Sequence, residues 1–317
     1  MGSRITDGMV QRTALADVMR ARLRLARVQE QAASGLRINR PSDDAVGYRM
    51  AGTVRSALRG GEQLLRNHGR AETRIARADA ALSETLGVLQ RARELALQGA
   101  NGAPSQNAET RRILAEEVAG LHADLLSQAN ASNAGEHVFA GHANDVAPFV
   151  ASGGFANGSP APTVAFVGDS NEIEIEIDSG TRVATSLDGR RVFQGDANGD
   201  GLVDGGRVDL FDTLAGLWTA LDTNDGAATA AELDRIDTAM AQIHAERTRL
   251  AGSSQRIEGA RDGVRDRAVA LQSQLSQLQD ADTVEVFSEL VSRETALQAS
   301  LQAAARVIQP SLLDFLG

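Results

Sequence analysis

Apolar residues recur at alternating steps of three and four along most of the chain, and each such run predicts a helix with one buried stripe. The first covers Leu15 to Ala33, a stretch rich in Leu, Val, Met and Ala without Pro or Gly. A second runs from about Gly61 to Leu97, with Ile75, Ala78, Leu82, Thr85, Leu89, Ala92 and Ala96 on its seam. A third, from about Glu109 to Gln128, presents Leu114, Val118, Leu121 and Leu125, and a fourth extends from about Ala231 to Leu278. Near the C-terminus Phe287, Leu290, Glu294, Leu297, Leu301, Ala304 and Ile308 keep the same step. That is a heptad seam broken only by Glu294, and it requires a partner helix.

Between about Val138 and Asp209 the texture changes. "ASGGFANGSPAP" reads as a linker, and "NEIEIEID" alternates acid with isoleucine at the period of a strand with one solvated face. "TVAFVG" and "RRVFQG" are further strand candidates, with turn signals in "DSG" and "DG". "LFDTLAGLWTAL" reads as a short helix with Trp218 as a core anchor. The fold class expected is mainly α: an elongated stalk of long antiparallel helices formed by both chain ends, with a small inserted β-rich domain. The divisions expected are a terminal coiled-coil helix over 1–40, stalk over 41–137, β-rich outer domain over 138–209, stalk over 210–279 and a second terminal coiled-coil helix over 280–317.

The stretch "SGLRINRPSDDAVGYRMA", Ser34 to Ala51, separates the first helix from the second. Gly35 suits the left-handed conformation that closes a helix, and Pro41 pushes Arg40 out of the helical region. Ser42 is then the expected cap of the next helix, with Asp43 and Asp44 in its first turn, where the macrodipole favours carboxylates. Arg37 and Arg40 stand close enough in sequence to pair with those two aspartates. The stretch is a joint.

Composition narrows the function classes. Aromatics are only 3% of the residues, which suits long helices packed on Leu, Val, Ile and Ala better than a compact aromatic core. A net charge of −10 argues against nucleic acid as a partner, because phosphate contacts need a basic surface. All 32 basic residues are arginine, which excludes a Walker phosphate loop and Schiff-base catalysis. The absence of cysteine removes disulfides, thiol catalysis and cysteine zinc sites. No apolar run is long enough to span a bilayer, so no membrane insertion is expected. "MGSRITDGMVQRT" lacks the apolar core of a cleavable signal, so export would need another route, and its match to a myristoylation pattern reads as chance. Charge is distributed unevenly: Arg4 to Arg40 holds eight arginines against three carboxylates, and Asp280 to Gly317 holds six carboxylates against two arginines. Those two ends are electrostatically complementary.

The most suggestive chemical motif is "DANGDGLVD". Asp196, Asn198, Asp200 and Asp204 fall at positions 1, 3, 5 and 9 of a calcium loop with Gly201 at the turn, but position 12 is Arg207 where a bidentate carboxylate belongs. A polar turn-rich loop is the favoured reading over a calcium site. His137 and His142 lack the spacing of a helical zinc pair and read as loop residues. No nucleophile-elbow pattern is present. No catalytic residue, metal or cofactor is therefore expected.

"ASGLRINRPSDDAVGYRMA" resembles the characteristic joint of the bacterial flagellin family, and "ETALQASLQAAARVIQPSLLDFL" resembles that family's C-terminal helix. "GEHVFAGHANDVAPF" and the ending "SLLDFL" are similar to the branch of the family that sits between hook and filament. The resemblance implies a structural subunit, not an enzyme, exported unfolded through the flagellar type III channel and assembled through its terminal helices in the secreted flagellum. It implies as partners other flagellar axial proteins (a second hook-associated protein and flagellin), copies of itself and an export chaperone. The residues expected to carry assembly are Ser34, Gly35, Leu36, Arg37, Ile38, Asn39, Arg40, Asp43 and Asp44 in the joint. With them go Phe287, Leu290, Leu297, Leu301, Ile308, Leu312, Leu313, Phe315 and Leu316 in the last helix. The loop at Asp196 and the lack of lysine depart from a typical member. The alternatives are flagellin itself, the filament subunit, and, from another class, a cytoplasmic signalling coiled coil, which would have no central β insertion.

Overall fold

The computed structural model describes residues 3–101, 108–156 and 159–308. The helices are α1 (Ser3–Ser34), α2 (Ala45–Ala100), α3 (Ala108–Ala129), α4 (Leu210–Asp222), α5 (Gly226–Gln279) and α6 (Thr283–Ile308). The strands are β1 (Ser132–Asn133), β2 (Glu136–His137), β3 (Phe149–Ser152), β4 (Thr163–Phe166), β5 (Glu174–Asp178) and β6 (Thr181–Ala184). The long helices pack antiparallel, α1 with α6 and α2 with α5, and the strands form a small β-rich part, as the sequence pattern predicts. Two compact units result, one of residues 1–61 with 265–317 and one of residues 62–264.

In the second unit every predicted seam residue of α2 from Ile75 to Ala96 is buried. Leu114, Val118 and Leu125 of α3 join the same core, together with Leu210, Leu214 and Leu217 of α4 and Ile236, Ile243 and Leu250 of α5. Ion pairs across α2 and α5 link Glu72 to Arg261, Asp79 to Arg247 and Arg93 to Asp237. Aromatic rings of this unit cluster together: Phe149 lies 5.2–5.4 Å, ring to ring, from Phe166, Phe193 and Phe211. Trp218, 5% exposed, packs against Phe155.

The strands make three antiparallel pairs, β1 with β2, β3 with β4 and β5 with β6. Ala134 and Gly135 close the first pair with φ of 52° and 89°, the twist that a two-residue hairpin needs. In β5 the glutamates are exposed while Ile177 is buried, the alternation read from "EIEIEID", and Gly180 turns the chain into β6 with φ of 75°. "RRVFQG" is not a strand: Arg190–Gln194 forms a single π-helical turn. Val192 and Phe193 are both buried, and neighbouring residues on a strand would point to opposite faces. Gly195, left-handed at φ 70°, closes the turn.

In the first unit, α1 turns Ala14, Val18, Ala21, Leu25 and Val28 inward, at steps of four and three. The matching stripe of α6 is Val286, Leu290, Arg293, Leu297, Ser300 and Ala304. This corrects the phase of the predicted seam. Leu290, Leu297 and Ala304 belong to it, but Phe287 (57% exposed), Glu294 and Leu301 (41% exposed) lie on the neighbouring stripe. The reason is Glu294: an unpaired carboxylate is costly to bury, so the stripe that carries it stays towards solvent.

A candidate assembly joint between the terminal helices

The first unit contains a double break at which both chain ends are interrupted together. α1 stops at Ser34, and Gly35 adopts φ of 71°, its amide donating to the carbonyl of Gln31. The chain then runs antiparallel to the segment between α5 and α6, with Leu36 bridging Asp280. The Arg37 amide donates to the carbonyl of Gln279 at 2.7 Å, and the Ala281 amide to that of Gly35 at 2.9 Å. The Arg37 guanidinium donates to the carbonyl of Leu278 at 2.8 Å.

Gln279 is the centre of this tie and is 5% exposed. Its side-chain amide donates to the carbonyl of Ile38 at 3.0 Å, and its side-chain oxygen accepts from Arg55 at 2.6 Å. Ile38 is fully buried. Nothing in the pattern of apolar residues singles out Gln279; only its place at the end of a long periodic run, just before Asp-Ala-Asp, hints at a helix end.

The aspartates act differently from the sequence expectation. Asp44, not Ser42, caps α2: its Oδ1 accepts from the amides of Val46 (3.1 Å) and Gly47 (2.9 Å). Asp43 turns back, its Oδ2 accepting from the amides of Asn39 and Arg40, while its own amide donates to the Arg40 carbonyl. Pro41 and Ser42 are thereby taken up in a turn, which displaces the helix start to Ala45. Arg40 pairs with Glu30 at 2.8 Å and Arg27 with Asp43 at 3.2 Å; of the expected pairs only Arg37 with Asp44, at 3.8 Å, is present. Asp282 caps α6 through the amides of Val284 and Glu285. Gly47 is needed for the close fit, since a Cβ there would lie 2.6 Å from Ile38 Cδ1 and 2.5 Å from Asp44 Oδ2.

Of the expected assembly residues, Ser34, Gly35, Leu36, Arg37, Ile38, Asn39, Arg40, Asp43 and Asp44 come together here. Leu290 and Leu297 are half-buried against α1, and Phe287 and Leu301 are exposed. Ile308 ends α6, and Leu312, Leu313, Phe315 and Leu316 lie outside the described residues. The α1·α6 pair leaves a second apolar stripe uncovered, with Leu15, Met19 and Leu23 on α1 and Val284, Phe287, Val291 and Leu301 on α6.

The carboxylates of the Asp196 loop are engaged by the loop itself. Asp196 accepts from the amides of Gly199 and Gly201, Asp200 from Leu202 and Asp204 from Ala197. Among the described residues no group of three His, Cys, Asp or Glu side chains is placed to hold a metal. His137 Nδ1 lies 2.7 Å from the carbonyl of Asn130.

Two sequence patterns match this chain: the bacterial flagellin N-terminal helical region over residues 5–144 and the bacterial flagellin C-terminal helical region over residues 233–316. The chain belongs to the bacterial flagellin family. Flagellar hook-associated protein 3 of Escherichia coli K12 is 26% identical over 288 residues, covering 86% of this chain and 87% of the relative. Flagellin FlaB1 of Treponema pallidum is 29% identical over 290 residues, covering 90% of each. Among solved structures, flagellar hook-associated protein 3 of Legionella pneumophila aligns with a TM-score of 0.60 at 17% identity, over 72% of this chain and 98% of that one. The Bacillus cereus FlgL structure aligns at 0.55 and 16% identity, over 71% and 99%. In this flagellin-family chain, the terminal regions that the patterns match contain the whole double break.

Proposed function

We propose that this chain is a structural subunit of the bacterial flagellum that joins hook to filament, is exported unfolded, and assembles through its terminal helices. The observation that carries the proposal is the uncovered apolar stripe along the α1·α6 pair. A contiguous exposed apolar face on a helix pair is a surface for further helices, and in a family of axial flagellar proteins those helices come from neighbouring copies and from the axial proteins above and below. The joint supports the reading by tying the two chain ends at one level, so that the terminal pair (1–40 with 280–317) meets its neighbours as one body. The remaining segments (41–137, 138–209 and 210–279) would form the outer part. An export chaperone would cover the terminal helices before assembly. No catalytic residue takes part in this scheme.

The test is a strain lacking the gene. Hooks without filaments, with unpolymerised flagellin in the medium, and rescue by this chain are the expected outcome; filaments of normal length in the deletion strain would overturn it. Flagellin is the second reading, supported by the similarity to FlaB1. Seeded polymerisation separates the two, because a filament subunit extends a seed without limit and a junction subunit stops.

A further inference from the structure

The segment from Gly195 to Gly206 is a compact loop whose neck is clasped by α5. Gln242 donates to the carbonyl of Val192 at 2.8 Å and accepts from the amide of Val208 at 3.2 Å. One turn later Glu246, 1% exposed, accepts from Arg191 at 2.8 Å and from Arg207 at 2.9 Å. Inside the loop, Asp196 and Asp204 hold its amides in place. This rigid support presents an apolar tip: Leu202 is 70% exposed and Val203 48% exposed, between Asp200 and Asp204. A pre-ordered loop binds without the cost of ordering, and its exposed apolar side chains gain by leaving water.

A complementary surface lies on another part of the same unit. Arg66, Arg70 and Arg74 follow one another at steps of four along α2 and border a groove of about 660 Å³. Ile175, Ala134 and Gly69 contribute apolar surface to that groove. Arg74 is held by Glu136, and Arg66 bonds Gln63 on its own helix. Arg70 is exposed and has no hydrogen-bond or ion-pair partner among the described residues. The groove therefore offers apolar surface with an arginine rim, and the tip offers two apolar side chains between carboxylates.

We propose that the tip at Leu202 and Val203 of one copy docks into the Arg66–Arg70 groove of a second copy. The tip and the groove are both open in the single chain, and the clasped neck holds the loop where it stands, so the contact is between copies. Joining a tip to a groove elsewhere on the next molecule is a heterologous contact, which repeats around a ring or along a helix. Opposite charges at the rim set the orientation of the encounter. The proposal rests on the reading of this chain as a self-assembling subunit, but its test uses purified full-length chains, so its outcome is independent of the deletion strain.

The chain has no cysteine, which permits a direct experiment. Purified Leu202→Cys and Thr73→Cys chains are mixed at high concentration under mild oxidation, with Leu202→Cys plus Ala123→Cys as the control pair. The mixed 202–73 disulfide should form at least about tenfold faster than the control. Arg70→Glu in the Thr73→Cys chain should remove that advantage, and Asp200→Arg in the Leu202→Cys chain should restore it. A 202–73 rate equal to the control, or an advantage that Arg70→Glu leaves intact, overturns the proposal. Failure of Asp200→Arg to restore it overturns the pairing of charge at the rim.

Discussion

Replacing Gln279 with alanine should open the joint without unfolding the rest of the molecule. The side chain makes two bonds, donating to the carbonyl of Ile38 and accepting from Arg55. Ile38 is fully buried, so its carbonyl would lose its partner in a place that water reaches poorly, a cost of about 1–3 kcal/mol. Arg55 is half-buried and recovers much of its bond from solvent, which adds about 1 kcal/mol. A total of about 2–4 kcal/mol corresponds to about a 30- to 700-fold rise in the population of the open joint. Amide hydrogen exchange measures such local opening directly. The amides of Arg37, Ile38 and Ala281 should lose that much protection, while those of Leu82 to Leu95 in the core of the other unit keep theirs. Gln279→Glu separates the two bonds: it retains an acceptor for Arg55 but has no donor for Ile38, so protection should fall nearly as far. Unchanged exchange at the joint in Gln279→Ala would refute the assignment of Gln279 as its centre, and an equal loss across both units would refute the joint as a local structure.

Gly47→Ala should destabilise the first unit by about 1–3 kcal/mol through overpacking against Ile38 and Asp44, whereas Gly52→Ala, whose Cβ meets open space, should stabilise it by up to about 1 kcal/mol; thermal unfolding of the pair checks both. Burial, and then the neighbouring Asp212 carboxylate, push Asp209 up to about 6 despite its capping bonds to α4. The folded state thus binds this proton more tightly than the unfolded one, so its contribution is greatest below the ordinary carboxylate value and is lost as pH rises through 6. Asp209→Asn, which still caps, should melt higher than wild type at pH 7, by an amount on the order of 1–3 kcal/mol, and at the same temperature near pH 4. His122 has the opposite sign: burial between Phe155 and Phe211 holds its pKa below the ordinary 6.5, so its contribution is lost as pH falls below that value, and His122→Gln should flatten the melting profile there. Leu301→Glu should leave the melting temperature nearly unchanged, because Leu301 is 41% exposed in the single chain, yet fail to restore filaments in the deletion strain; restored filaments would place Leu301 outside the assembly surface.

The sequence by itself determined the elements whose cause is local. The run from Ile75 to Ala96 is a helix with that buried stripe because its steps of three and four put those residues on one face. Gly35 ends α1 because a residue without Cβ accepts the left-handed conformation, and "EIEIEID" is a strand because its period is two. The family, too, was legible in the joint and the last helix. Tertiary structure decided the rest. Two adjoining stripes on α6 share Leu290, Leu297 and Ala304, and only the presence of α1 selects the stripe with Val286 over the one with Phe287 and Glu294. "RRVFQG" has strand-forming residues, but the Phe139, Phe149 and Phe211 rings around Phe193 favour a turn that buries Val192 and Phe193 together. Asp44 caps α2 in place of Ser42 because Asp43 is drawn back onto Asn39 and Arg40 and towards Arg27, a residue on another helix. Gln279 acquires its role only when residue 38, 241 positions away in the chain, is brought beside it. A pattern along the chain records which face of each element is buried; which partner covers that face, and which polar groups the partner leaves to be satisfied, depends on contacts between residues that the sequence keeps far apart.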